Sequence, residues 1–347
     1  MSNKNDKLNE TIEKLEQGIL NIFNSQDYKN HLKVMSKFHN YSFNNQILIY
    51  LQNPNATFLK GYKGWQNEFD RQVKKGEKGI TILAPIPIKK EIEIEKKDEK
   101  DNIVKEKENV EILLFKPVTV FDISQTQGRE IENLHLVEEL KFDVSNFNSF
   151  FNVLKSISPV KIDFENIENG VKGYYHISEN RIAINNGMSQ SQTIKTAIHE
   201  IVHSILHNKE LTEETNLSKN TKEIEAESVS YIVCNHFNID TSDYSFGYIA
   251  SWSENKELQE LKNSLEIIKN TSSELIENIE NALTETLKLQ NVKENIIYKE
   301  PINNILNKEK IIITPLSLKE KIKEKQKLIN QLKTNKEKNI KEIKQNK

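Results

Sequence analysis

Apolar residues recur at three- and four-residue steps from the start of the chain. Leu8, Ile12, Leu15 and Ile19 share one helical face, and a second such run extends from Leu32 to Leu51. Residues 8–52 are therefore expected to be helical up to Pro54 and Asn55, which break the period. Ile80–Pro85 and Val110–Phe121 read as two strands of one hairpin. The almost wholly charged stretch at about 89–108 reads as a solvated, irregular insertion between them. A helix is expected from about Asn146 to Ile157. Paired strands follow at Tyr174–Ile177 and Arg181–Asn185, with Ser178, Glu179 and Asn180 in the turn. Two further helices are expected at Thr193–Asn208 and Lys222–Phe237. Leu258, Leu261, Leu265, Ile268, Leu275, Ile279 and Ala282 then continue as one long amphipathic helix. After about Asn291 the chain is rich in Lys, Asn and Glu and is expected to be frayed helix or disorder.

These elements predict an α+β chain of two domains. The first, mixed α/β, covers residues 1–127 and carries the insertion. A linker occupies 128–144, a second domain 145–290 and a basic low-complexity tail 291–347. The net charge of −2 conceals an asymmetry, because from Lys293 onward 15 lysines face 7 acids. Cys234 is the only cysteine, which excludes an intrachain disulfide, and its apolar surroundings mark it as a core thiol. The polar start MSNKNDKLNE lacks the apolar stretch of a signal peptide, and no apolar run is long enough to span a bilayer. The expected setting is cytoplasmic, with no membrane partner.

The chemistry concentrates in His199-Glu200-Ile201-Val202-His203. Four residues of α-helix advance by about 400°, so the two histidines project from one face, a turn apart. They can meet one Zn²⁺ at about 2.0–2.1 Å. Glu200 lies about 100° round the helix, able to address water at the metal without ligating it. Ile198, Ile201, Val202, Ile205 and Leu206 would bury the helix's other faces and hold the site rigid. Such a motif arises by chance in roughly one or two chains of this kind per hundred. Its context therefore decides: a helix, a preceding strand pair, and an acidic segment downstream. Glu223 and Glu227 lie at i and i+4 on that segment, a spacing that resembles the thermolysin-like (gluzincin) pattern. By that resemblance Glu223 is the third ligand and Glu227 hydrogen-bonds a ligand histidine; the reverse assignment stays open. Glu225 is expected to be a surface charge. His207 stands too far along the helix axis to join the same ion and is given a supporting role. Expected chemistry is peptide hydrolysis, with Zn²⁺ acidifying a water and Glu200 as general base. Arg181–Asn185 is a candidate sheet edge for an extended substrate. Tyr231, Tyr244 and Tyr248 stand as oxyanion donors or as core residues.

A second cluster interleaves cations with aromatics: Lys60, Tyr62, Lys63, Trp65, Arg71, Lys74, Lys75 and Lys78. Lysines can follow phosphates while Tyr62 and Trp65 offer faces to bases, the chemistry of a single-stranded nucleic-acid site. Glu68, Asp70 and Glu77 dilute its charge. Tyr41–Ile49, Gln52–Thr57, Gly61–Trp65, Arg71–Pro85 and Val120–Thr126 together resemble the N-terminal domain of ArdC-type antirestriction proteins. About 145–255, with His199–His207 and Glu223–Glu227, resembles the ImmA/IrrE-like peptidases. Proteins of the first type, including LtrC-like relatives on conjugative elements, join a single-stranded-DNA-binding domain to a zincin-like metallopeptidase domain. The resemblance thus implies a mobile-element DNA-binding zinc metallopeptidase with an unknown protein substrate. Two alternatives are a DNA-binding antirestriction protein whose zinc is structural, which belongs to a different class, and a regulatory peptidase cleaving a repressor. Asp70 stands where the family commonly has Gly, a departure expected to alter that turn.

Overall fold

The structure, a computed structural model, describes residues 2–23, 25–97, 103–131, 147–208, 217–244, 246–254 and 256–297. The expectations for the basic tail, most of the linker and the tip of the charged insertion lie outside those residues. The chain is α+β and divides into two compact units. One consists of residues 1–140 with 243–269, the other of 141–242 with 270–347.

The first unit begins with three helices where the apolar spacing predicts helix: α1 (Ser2–Ile22), α2 (Ser25–Lys37) and α3 (Phe43–Gln52). Ser42 caps α3 by accepting from the Asn45 N–H. The helices pack on a sheet of order β1-β4-β3, built from β1 (Leu59–Gly61), β3 (Ile80–Lys97) and β4 (Ile103–Asp122). Val34, Phe38, Ile49, Ala56, Leu59, Ile80, Ile82 and Val120 form the shared core. Helix α4 (Tyr62–Phe69) follows β1, and short β2 (Arg71–Val73) pairs with β5 (Thr126–Gly128).

The charged insertion is not irregular. The β3–β4 ladder continues through it to Lys97 opposite Ile103. Alternation is the reason: Ile88, Ile92 and Ile94 fall on one parity. The register sets Glu93 opposite Lys107 and Glu95 opposite Lys105, and Lys107 pairs with Glu91 at 2.5 Å. Counting charge alone hides that period of two.

The free edge of β3 is closed by side chains. Asn45 exchanges two hydrogen bonds with the Leu83 backbone (2.8 and 2.9 Å), and Gln52 does the same with Thr81 (2.8 and 2.9 Å). Two amides on one face of α3 thus take the place of a neighbouring strand. The outward direction recurs at Pro85 and Pro87, which have no N–H to leave unpaired.

Asp122, buried at the end of β4, joins the unit's parts. Its carboxylate accepts from the N–H groups of Thr57 (2.6 Å), Phe58 (3.0 Å) and Ser124 (3.0 Å) and from the Ser124 hydroxyl (2.6 Å). Gln125 returns a bond to the Asp122 N–H at 2.9 Å, completing a capping box over the 3₁₀ turn Ile123–Gln125. Burial raises the carboxyl's pKa, but these hydrogen bonds outweigh it and hold the group below its ordinary value. A depressed folded-state pKa stabilises above the unfolded value, about 3.9, and that stabilisation fades as the pH falls through the folded one. Asp122→Asn is therefore expected to cost about 1–3 kcal/mol at pH 7. The gap to the parent should shrink in denaturant melts at about pH 3; an equal gap at both pH values would contradict the carboxylate's role.

Asp70 adopts φ 51° and ψ 41°, closing α4 in the left-handed conformation that glycine reaches without strain. The departure from Gly is absorbed by an aspartate in that same region, at a cost of about 1–2 kcal/mol.

Residues 243–269 pack with this first unit. Phe246 meets Tyr28 with centroids 5.2 Å apart, Trp252 meets Phe23 at 5.9 Å, and Lys29 donates to the Tyr244 carbonyl at 2.9 Å. This segment contains α8 (Ile249–Ser253) and the first turns of α9 (Leu258–Ile297).

In the second unit, α5 (Phe147–Ile157) precedes a three-stranded sheet of order β6-β8-β7. Its strands are β6 (Lys161–Glu165), β7 (Gly173–His176) and β8 (Arg181–Asn185), with β6 parallel and β7 antiparallel to β8. Asn180 turns β7 into β8 with φ 52°. Helices α6 (Gln190–Leu206) and α7 (Lys219–His236) complete the unit together with the later part of α9. Cys234 is fully buried in α7.

Candidate metal centre

Helix α6 starts at Ser189, whose side chain accepts from the Gln192 N–H at 3.3 Å. Ile194, Ala197, Ile198, Ile201, Val202 and Ile205 are buried, so the helix is fixed on its apolar faces. Ser218 caps α7 likewise, and Ser230 of α7 donates to the Lys195 carbonyl of α6 at 3.2 Å. Two capped helices thereby hold their polar faces together.

On those faces His199 Nε2 and His203 Nε2 stand 3.0 Å apart. The Glu223 carboxylate is 3.5 Å from the first and 3.7 Å from the second. Three donors held tetrahedrally at about 2.0–2.1 Å from one ion stand about 3.3–3.4 Å apart, so this triangle fits such an ion to within about 0.4 Å. Among the described residues, this trio forms a cluster able to hold a metal ion. Glu227, one turn beyond Glu223, lies 3.3 Å from the other nitrogen of His199. Glu223 thus faces both Nε2 atoms, whereas Glu227 faces His199 Nδ1.

The electrostatics follow from burial and carboxylates. Burial pulls His199 down, but hydrogen bonds to Glu223 and Glu227 outweigh it and lift the imidazole to about 10. His203 is lowered, first by burial and further by the neighbouring histidines, against the pull of Glu223. Hydrogen bonds from His199 and His203 hold Glu223 well below the carboxylate range. Such a site favours a cation. Burial raises Glu200 to about 7.

Glu200 is also positioned. The Tyr175 N–H of β7 hydrogen-bonds its carboxylate. Close approach of β7 to α6 requires Gly173, where a Cβ would come within 2.6 Å of Thr196 and 2.9 Å of the Ala183 carbonyl. The sequence reading missed this contact, since spacing does not reveal which strand lies against a helix.

Two expectations are corrected. β8 is the central strand with partners on both sides, so Arg181–Asn185 is no free edge. The edge beside Glu200 is β7. Glu225 is not a surface charge: it is 1% exposed and its carboxylate meets His207 Nε2 at 3.1 Å. Of the tyrosines, Tyr231 is fully buried, with burial raising its hydroxyl to about 12. Tyr244 is buried as well, in keeping with a core role, and Tyr248 is 44% exposed.

The basic segment divides by exposure. Trp65 is fully buried, packed by Phe58 (5.6 Å) and Phe69 (5.5 Å), and donates Nε1–H to the Phe121 carbonyl at 2.9 Å. It offers no face to a base, which corrects its expected stacking role. The Arg71 guanidinium bonds the Thr126 hydroxyl and the carbonyls of Thr126, Gly128 and Arg129, tying β5 to β2. Lys60 pairs with Glu68 at 2.6 Å, and Lys74 donates to the Ser124 carbonyl at 2.8 Å. Tyr62, Lys63, Lys74, Lys75 and Lys78 are exposed.

Residues 3–121 match the family described as the N-terminal domain of anti-restriction factor ArdC. Residues 158–273 match the IrrE N-terminal-like domain. The chain joins an ArdC-type N-terminal domain to an IrrE-like domain. An uncharacterised protein of Bacillus anthracis, pXO2-81, is 27% identical over 358 residues, which cover 91% of this chain and 60% of that relative. This chain thus spans about three-fifths of that relative's length. Crystal structures of the antirestriction protein ArdC from plasmid R388 are also similar. The metal-free form has 22% identity and a TM-score of 0.44, covering 71% of this chain and 84% of that one. The Mn(II)-bound form has 19% identity and a TM-score of 0.44, covering 70% and 85%.

Proposed function

We propose that this ArdC-like protein is an antirestriction factor that binds single-stranded DNA through residues 1–127 and hydrolyses peptide bonds in its IrrE-like domain. The convergence of His199, His203 and Glu223 beside the buried Glu200 carries the reading. Two imidazole nitrogens and one carboxylate are a donor set suited to zinc, and leave a coordination position for substrate. Bound there, Zn²⁺ supplies Lewis acidity towards water and the scissile carbonyl. Glu200 accepts the proton of the attacking water on its carboxylate and delivers it to the leaving amine. The Tyr175 N–H keeps that carboxylate directed, and Glu227 does the same for His199. Among the described residues no helix is long and apolar enough to cross a membrane; the setting we propose is the cytoplasm of a cell hosting a mobile element.

Metal analysis with a hydrolysis assay tests the peptidase half. About one Zn²⁺ per chain is expected, with His199→Ala and His203→Ala both losing it. Full retention in both variants would remove the site. For DNA, the exposed Lys63, Lys74, Lys75 and Lys78 support phosphate contact, and Tyr62 supports base stacking. Single-stranded DNA should bind more weakly as salt rises, and replacing Lys74 and Lys75 together by alanine should flatten that slope by about 1–2. A salt-independent parent would contradict phosphate recognition.

A further inference from the structure

His203 has two ring nitrogens, and only Nε2 faces His199 and Glu223. Its Nδ1 lies 2.9 Å from Nδ1 of His207, whose Nε2 lies 3.1 Å from the Glu225 carboxylate. His207 and Glu225 are both buried. We propose that Glu225 and His207 form a positioning relay that sets the tautomer and ring orientation of His203; this rests on the metal-centre reading above.

The direction of the chain follows from what each group can donate. An ionised carboxylate only accepts, so His207 carries its proton on Nε2 and gives it to Glu225. In a neutral His207 ring, Nδ1 is then left as an acceptor. Two facing ring nitrogens make a hydrogen bond only when one of them carries a proton, so His203 carries its proton on Nδ1. The lone pair of His203 Nε2 is thereby directed at the point where His199 and Glu223 converge. The opposite tautomer would place a proton at that point and two lone pairs face to face at 2.9 Å. Glu227 has the corresponding position on His199 Nδ1. Each ligand histidine thus has its own carboxylate from α7, one direct and one through an intervening imidazole.

The test uses the full chain and two measurements. Zn²⁺ affinity is measured by competition with a chromophoric chelator. The His203 tautomer is read from ¹⁵N ring shifts of the metal-free protein. Gln at 207 keeps an amide where Nε2 was, so it still reaches Glu225, but it removes the acceptor for His203. Asn at 207 keeps an acceptor where Nδ1 was. His207→Gln is therefore expected to weaken Zn²⁺ binding about 10–100-fold and to shift His203 away from the Nδ1–H form, whereas His207→Asn should stay within a few-fold of the parent. Glu225→Gln, which frees the direction of the chain, should resemble His207→Gln. Circular dichroism on each variant accompanies both measurements. A folded His207→Gln protein with parental affinity and parental ring shifts overturns the relay, as does His207→Asn falling as far as His207→Gln. Failure of the metal centre itself looks different: His203→Ala would then bind Zn²⁺ like the parent. The ring shifts of the metal-free protein would still decide whether His207 sets the His203 tautomer.

Discussion

Glu200→Gln is expected to lower peptide hydrolysis by about 10²-fold or more while the metal content stays at the parent level. Glutamine keeps the shape of the side chain and can still meet the Tyr175 N–H through its carbonyl oxygen. It cannot take a proton from water near neutral pH. Burial raises the carboxyl it replaces above the ordinary carboxylate range. Glu200 has no role in holding the ion in this reading, which is why metal content is the essential control. Parental turnover in the variant would remove Glu200 as the base. Loss of metal along with activity would instead make it part of the binding set.

Trp65→Ala should destabilise the ArdC-type domain by about 3–5 kcal/mol, read as a fall in the denaturant midpoint. The indole fills a pocket between Phe58 and Phe69, and its Nε1–H satisfies the Phe121 carbonyl. Removing it leaves a cavity and a buried acceptor without its donor. Any loss of DNA binding in this variant would follow unfolding. Tyr62→Ala separates the two effects, since Tyr62 is 46% exposed and should leave stability within about 0.5 kcal/mol of the parent. Its DNA affinity should fall by about 1–3 kcal/mol if a base stacks on the ring. A Trp65→Ala domain as stable as the parent would contradict the packing described above.

Much of the site was readable in advance. A helix fixes what lies one turn away, so His199 with His203 and Glu223 with Glu227 follow from spacing and a continuous apolar pattern. The single cysteine in its apolar run was likewise legible as a core thiol. The basic segment was legible only as composition. Lysines and aromatics in alternation do not disclose which ring is inside, and Trp65 and Tyr62 have opposite fates three residues apart. Glu225 was misjudged for a related reason: it sits on a different side of α7 from Glu223 and Glu227, and only its neighbour reveals that side as interior.

What the sequence determined by itself is therefore local: helix faces, the base of the long hairpin, the carboxylate and imidazole pairs set by one helical turn, and the ordered motifs of an ArdC-type domain. The tertiary structure alone decided what comes from elsewhere in the chain. It set α7 against α6 so that Glu223 completes the histidine pair, placed β7 beside Glu200, and made β8 central. It also buried His207 with Glu225 and closed the β3 edge with Asn45 and Gln52. Backbone geometry repeats over a few residues and writes its period into the sequence. Contacts between distant segments arise from burying apolar faces together, which records no address for the partner.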